Sequence, residues 1–203
     1  MEKGRPRNFD KDEALEKALA VFWRNGYQGS ALSELTEAMG INKPSLYGTF
    51  GDKASLYLQA LELYGAQQGK KHLRALESQE DPRKAVKAFL TSVVGMQTSP
   101  KLPGGCFVVN GTTECGSVGM PEIVDKALSK TVALSVLALE QRFKRDCEAG
   151  RLPAETSSAL AHYVAALMMG LGVMAKAGTS RKALIEAIDR SLPAIPSSDP
   201  ATM

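Results

Sequence analysis

The chain has 203 residues, 44% hydrophobic and 23% charged, with 25 basic against 22 acidic side chains and a net charge of +3. That length is short for two domains of ~150 residues each and suits one core with a small satellite unit, and the composition excludes a wholly disordered, collagen-like or repeat-built chain. A charge of +3 is too small to demand a polyanionic partner, so its distribution must carry that argument, while aromatics at 6% and an Ala- and Leu-rich apolar content favour helices over sheets.

Residues 1–8 are polar and basic, with Lys3, Arg5 and Arg7 at alternate positions. Such a segment is either an arm along a nucleic-acid backbone or minor groove, or a solvated tail. Phe9-Asp10-Lys11-Asp12-Glu13 then announces a first helix: Asp10 caps the free amides, Glu13 reaches back to the cap and Phe9 serves as a staple. Leu15, Ala18, Leu19 and Phe22 share one face, and Asn25-Gly26 ends it. A short second helix starts at Ser30, sets Leu32, Leu35, Ala38 and Met39 on one side, and stops at Gly40. A third follows at once, with Asn42 as cap and Pro44 in its first turn, and finishes near Phe50-Gly51. Asp52 caps a fourth, which runs past Gly65 and Gly69 into the region of His72 to Glu77.

Asp81-Pro82 restarts the chain for a fifth helix to about Met96, and Thr98 to Pro121 is irregular, with one short helix around Cys106 to Thr113. Three helices complete the chain, over Pro121 to Ala149, Ala154 to Ala177 and Ser180 to Leu192, joined by connectors tight enough for antiparallel neighbours. Residues 193–203 are expected to be a disordered tail. Thr156 to Ala175 carries no Asp, Glu, Lys or Arg, yet Ser157, Ser158, His162 and Tyr163 interrupt it. A spanning helix needs ~20 predominantly apolar residues, so a buried helix in a soluble protein is expected.

Function concentrates in Ser30 to Phe50, two short amphipathic helices joined by the turn Gly40-Ile41-Asn42, the arrangement of a helix-turn-helix. The third helix is barely two turns, too short to contribute much as core. Its outward residues suit DNA: Lys43 offers charge, Ser45, Tyr47 and Thr49 offer hydroxyls, and Gly48 lets the backbone approach. Lys53 adds a cation at the N-terminus of the fourth helix. Tyr47 also fits a core position, flanked by Leu46 and Phe50.

The run Gly40-Ile-Asn-Lys-Pro-Ser-Leu-Tyr-Gly-Thr-Phe-Gly-Asp-Lys-Ala-Ser-Leu-Tyr57 resembles the recognition-helix signature of the TetR/AcrR family of bacterial transcriptional regulators, and the match extends back to Phe22. Gly150-Arg-Leu-Pro-Ala-Glu before an Ala-rich helix, and Gly104-Gly-Cys-Phe-Val-Val-Asn, resemble other segments of that family. The resemblance implies an all-α homodimer, with a three-helix DNA-binding head (residues 1–55) joined to a helical ligand-binding and dimerisation bundle (residues 56–192). It also implies repression released by a small molecule; two-fold symmetry then calls for a palindromic operator, and reduced thiols for the cytoplasm. Carried over by position, Ser30, Lys43, Tyr47, Thr49 and Lys53 meet phosphates, and Lys43, Pro44, Ser45 and Gly48 lie near base edges; Arg5 and Arg7, outside the matched run, are expected as a basic arm from their charge alone. Gly48 departs from the family pattern, in which a large His or Tyr often follows the tyrosine, and so shifts base reading to its neighbours. The effector pocket is expected among Phe89, Met96, Cys106, Phe107, Asn110, Phe143, Met168 and Met169. The dimer seam is expected at Val164, Leu167, Leu171, Met174, Leu184 and Ile188, with Gly170 and Gly172 allowing close packing across it.

Competing chemistries leave weaker marks. Cys106, Cys115 and Cys147 are odd in number, lack Cys-x-x-Cys spacing and follow no leader, so reduced thiols are expected, with Cys106 a candidate thiol sensor. The two histidines are too far apart in sequence to suggest zinc, and no metal or cofactor is expected. Gly170-Leu-Gly172-Val-Met-Ala175 fits a dinucleotide fingerprint but no strand precedes it. No nucleophile elbow, carboxylate pair or phosphate loop marks an enzyme. A helical small-molecule-binding protein or enzyme that merely carries this head is the remaining alternative.

Overall fold

The computed structural model describes residues 9–196. Lys3, Arg5 and Arg7 therefore lie outside the described residues, as do 197–203 of the expected tail. Every regular element among the described residues is helical: α1 (Lys11–Asn25), α2 (Leu32–Met39), α3 (Lys43–Phe50), α4 (Lys53–Tyr64), a π turn (Gly65–Gly69), α5 (Lys70–Glu77), α6 (Pro82–Gln97), α7 (Phe107–Thr112), α8 (Glu122–Glu148), α9 (Ser157–Lys176), α10 (Arg181–Ser191) and a final 3-10 turn (Leu192–Ala194).

Side-chain caps set the start of α1, α3, α4, α6 and α10. Asp10 accepts from the amides of Asp12 and Glu13, Asn42 from Ser45, Asp52 from Ser55 and Asp81 from Lys84, each satisfying an otherwise orphaned donor. Glu13 does not reach back to the cap. It pairs instead with Lys17 at 2.7 Å, one turn on. Phe9 packs toward the Phe50 ring, with centroids 6.4 Å apart, so it ties the start of α1 to the end of α3.

α1 packs on both α2 and α4, and with α3 their inner faces form a core of Ala18, Phe22, Leu35, Leu46, Phe50 and Leu56, all at most 2% exposed. The same apolar cluster continues through Tyr57, Tyr64 and Phe107 to Val124 and Leu128, so the head and the near end of the body share packing. A second cluster lies farther along, where α6, α8, α9 and α10 meet around Leu90, Leu139, Phe143, Val164 and Leu184.

One ionic knot fastens the body. Arg142 and Asp146 of α8 are 4% and 0% exposed, and their side chains bond at 3.0 Å. Arg142 also donates to the carbonyl of Leu76 in the last turn of α5 and to those of Gln79 and Glu80 just beyond it, while Arg151 reaches Asp146 at 2.8 Å from the α8–α9 loop. The charges are buried, but each has several partners, as burial requires.

Two expectations about the body are corrected. Residues 193–196 are not a loose tail, because Ile195 is 0% exposed and its carbonyl accepts both Nε (3.1 Å) and Nη2 (2.9 Å) of Arg83. Nor is α9 a buried helix. It is long and apolar enough to cross a membrane, with mean hydropathy 1.6, yet only 33% of its apolar stretch is buried within the chain.

Candidate nucleic-acid interface and body cavity

α3 presents a consistent face. Lys43 and Tyr47 are one turn apart, as are Pro44 and Gly48, and all four are exposed, while Leu46 and Phe50 point into the core and Ser45 and Thr49 are half-buried. Tyr47 is 50% exposed, which removes it from the core. No Cβ neighbour crowds Gly48, so the absent side chain leaves open surface rather than filling an internal need. The end of α3 is braced by Gln59, whose Nε2 donates to the Phe50 carbonyl at 2.9 Å. Lys53 is half-buried with its Nζ 4.6 Å from the Tyr27 ring centre, a cation–π contact at the base of the same unit. Ser30 differs from the expectation: it is 0% exposed and its hydroxyl donates to the Gly26 carbonyl at 2.6 Å, closing the α1–α2 loop rather than facing a phosphate.

The head is wired to the body at the end of α1. Glu114, just after α7, accepts from the backbone amides of Tyr27 (2.9 Å) and Gln28 (3.2 Å). Gly26 has φ +77°, and a Cβ there would stand 1.9 Å from Glu114 Oε1, so only glycine fits. Trp23 Nε1 donates to the Gly104 carbonyl at 3.1 Å, Asn110 Nδ2 to the Trp23 carbonyl at 3.3 Å, and Lys176 Nζ of α9 to the Arg24 carbonyl at 3.1 Å. Trp23, Tyr64 and Phe107 pack edge-on or tilted beneath these bonds.

On the other side of α7 lies a cavity of about 270 Å³. Phe89, Met96, Cys106, Met168 and Met169 line it, as expected. Three expected residues do not. Phe107 is buried in the aromatic junction at 1% exposure, Phe143 is 0% exposed in the second core, and Asn110 faces a separate groove beside Trp23 and Lys176. The lining also includes Tyr64, Gln68, His72, Val93, Val108, Val109, Thr131 and Ser135, which sequence reasoning did not single out. The π turn borders it, and exposed Leu73 and Leu134 mark its solvent end. The Tyr64 hydroxyl lies 3.2 Å from Cys106 Sγ, and burial pushes its pKa well above the ordinary range. His72 Nδ1 lies 3.0 Å from Ser92 Oγ, and burial, with Lys71 adding to it, lowers the imidazole pKa to about 4.

The expected dimer residues also divide. Val164, Leu171, Leu184 and Ile188 are all at most 5% exposed within the chain's own core and Leu167 is half-buried, so of the six only Met174, 47% exposed, faces outward. The outward stripe of α9 runs instead through Ala159, His162, Ala166, Gly170 and Val173. Gly170 opens on free space, whereas a Cβ at Gly172 would meet Gln97 Nε2 at 3.0 Å, so Gly172 serves packing inside the chain.

A short exposed third helix, set by a three-residue turn on two supporting helices and bolted to a helical body with a cavity, defines a helix-turn-helix protein of the ligand-accommodating kind. The chain belongs to the TetR family: residues 14–60 match the "Bacterial regulatory proteins, tetR family" and residues 82–190 the "Tetracyclin repressor-like, C-terminal domain". It is 30% identical over 188 residues to the HTH-type transcriptional repressor ComR of Escherichia coli K12, covering 91% of this chain and 88% of that one. A cysteine-substituted form of the TetR family transcriptional regulator CifR, solved with 26 bp double-strand operator DNA, is 38% identical with a TM-score of 0.88, over 95% of this chain and 100% of that one. A TetR regulator from Rhodococcus sp. RHA1 is 32% identical with a TM-score of 0.60, over 93% of this chain and 100% of that one.

Proposed function

We propose that the protein is a cytoplasmic transcriptional repressor that binds a palindromic operator as a homodimer and is released by a small molecule in the body cavity. It acts by binding and not by catalysis. Residues 1–55 form the DNA-binding unit, and residues 56–192 form the effector and pairing unit. The observation that carries the reading is the exposed row Lys43, Pro44, Tyr47 and Gly48 on a helix whose other face is locked into the head core. Such a helix enters a major groove with its N-terminal residues toward base edges, and a two-fold dimer sets two of them about 34 Å apart. Lys43, Tyr47, Thr49 and Lys53 are assigned to phosphates, and Lys43, Pro44, Ser45 and Gly48 to base edges. Arg5 and Arg7 are assigned to a basic arm along the backbone.

Pairing is assigned to the outward face of α9, because most of an apolar helix is left uncovered by its own chain and small residues there admit a close second helix. Release follows from α7. Cys106, Val108 and Val109 wall the cavity on that segment, while Asn110 and Glu114 beside them hold the end of α1 and its loop. A ligand that favours a displaced α7 turns the heads, with a leverage equal to its differential affinity for the two arrangements. Reversible binding is favoured over thiol sensing because, among the described residues, no Lys or Arg lines the cavity to hold a Cys106 thiolate.

The test is a gel shift with DNA flanking the protein's own gene, repeated across salt. Lys43→Ala should weaken binding and reduce the slope of log K against log salt by about one. An unchanged slope removes Lys43 from the phosphate contacts, and absence of a specific shift by the native protein overturns the reading.

A further inference from the structure

We propose that Tyr27 is a positioning residue for DNA binding: its ring seats the Lys53 ammonium for a backbone phosphate, and the body holds that ring in place. The assignment rests on the repressor reading above, in which Lys53 meets a phosphate, and adds the residue through which that contact is set.

Lys53 is the first residue of α4, and only Gly51 and Asp52 separate it from α3, so its backbone is fixed beside the end of the recognition helix. A lysine side chain free in solvent loses rotamer freedom when it meets a phosphate, which weakens the contact. Here part of that freedom is already lost. Nζ stands 4.6 Å from the centre of the Tyr27 ring, a cation–π distance, and the residue is half-buried. No carboxylate forms an ion pair with Lys53 among the described residues. Asp52, its neighbour in the chain, accepts from the Ser55 amide at 2.8 Å, and Glu114 accepts from the Tyr27 and Gln28 amides. Burial lowers the Lys53 pKa, with Glu114 opposing the shift, so the ammonium is partly out of water before a phosphate arrives.

The ring itself is fastened on several sides. Tyr27 is 7% exposed, stacks on Phe22 with centroids 6.4 Å apart, and meets Tyr57 edge-on at 5.4 Å. Tyr57 in turn packs against Phe107 of α7, with centroids 5.0 Å apart. The main chain is tied to the same region, because Glu114 holds the Tyr27 and Gln28 amides and Gln28 Nε2 donates to Ser117 Oγ (2.6 Å) and the Val118 carbonyl (3.0 Å). Both the ring and the backbone of residue 27 therefore follow α7 and the turn after it. A displaced α7 reaches a phosphate contact through this ring.

The experiment is a double-mutant cycle on the full-length protein, read by fluorescence anisotropy of a labelled duplex carrying the DNA that flanks its own gene, at a salt concentration low enough for Lys53→Ala still to bind. Tyr27→Leu should weaken binding about tenfold, as when each of two heads loses a contact worth about threefold, and Tyr27→Phe, which keeps the ring face, should stay within about twofold of native. In the K53A background the Tyr27→Leu loss should shrink below about twofold, because the side chain it seats is gone. A ring that only packs the head core costs the same in both backgrounds. Should Y27L lose its helical circular-dichroism signal, Y27M carries the same expectation. Equal losses in the two backgrounds overturn the assignment, as does a Y27F loss as large as that of Y27L, a Y27L protein that binds like native, or a K53A protein that does. Each of those results leaves operator binding by the native protein, and with it the repressor reading, standing; a native protein that binds no such duplex overturns both.

Discussion

Lys71 and His72 are adjacent in the chain and stand in opposite environments, one exposed and the other 8% exposed. The consequence is measurable in acid. The folded imidazole has a pKa of about 4 against an ordinary 6.5, so above pH 6.5 it is neutral in both states and makes no difference. Below that, the unfolded chain takes up a proton that the folded chain refuses until about pH 4, and stability falls across the interval, by up to about 3 kcal/mol. Urea melts at about pH 7 and pH 5 should show this loss in the native protein and a smaller one in His72→Gln; equal losses would assign the acid sensitivity elsewhere. Sequence reasoning had no means of finding this residue. A histidine one turn before Leu76 on an amphipathic helix looks like ordinary core, and the partner Ser92 is twenty positions away. The same blindness explains Phe107 and Phe143. Large apolar side chains suit a cavity wall and a solid core equally, and only the positions of neighbouring helices decide between them.

At the level of elements, the head was readable because its signals are local. Asp10, Asn42 and Asp52 are caps, Gly40 is a left-handed stop at φ +69°, and Pro44 is confined to a first turn. The π turn at Gly65–Gly69 has no such signature. It keeps helical backbone angles at its ends and interrupts a continuous path from α4 to α5 beside the cavity, where two glycines weaken the helix. The Arg142–Asp146 knot was equally hidden, since an Arg and an Asp four apart on a helix ordinarily form a solvated pair of little worth. Here the pair secures the end of α5 and the α8–α9 loop. Asp146→Ala leaves two guanidinium groups short of a partner, one of them buried, and should destabilise the protein by about 3–5 kcal/mol in chemical denaturation. A loss under 1 kcal/mol would show that the carbonyls alone satisfy Arg142.

For the whole molecule, the sequence pattern located the apolar C-terminal helices but not which of their faces is inward, because α9 is apolar nearly all round. Val164 and Leu171 are inside, Gly170 and Val173 outside. Val173→Glu should therefore yield monomers by light scattering with helical content retained, whereas Leu171→Glu should unfold the chain. Persistent dimers in V173E would move the seam elsewhere. The exposed flank of α9 has a further consequence. On the pairing proposed above that apolar surface is covered by association, which links folding and pairing by mass action. The midpoint of thermal unfolding should then rise with protein concentration, and a protomer diluted below its pairing constant is the less stable, more readily degraded species. The number of copies in a cell would in this way set both how much operator is occupied and how long each unpaired chain survives.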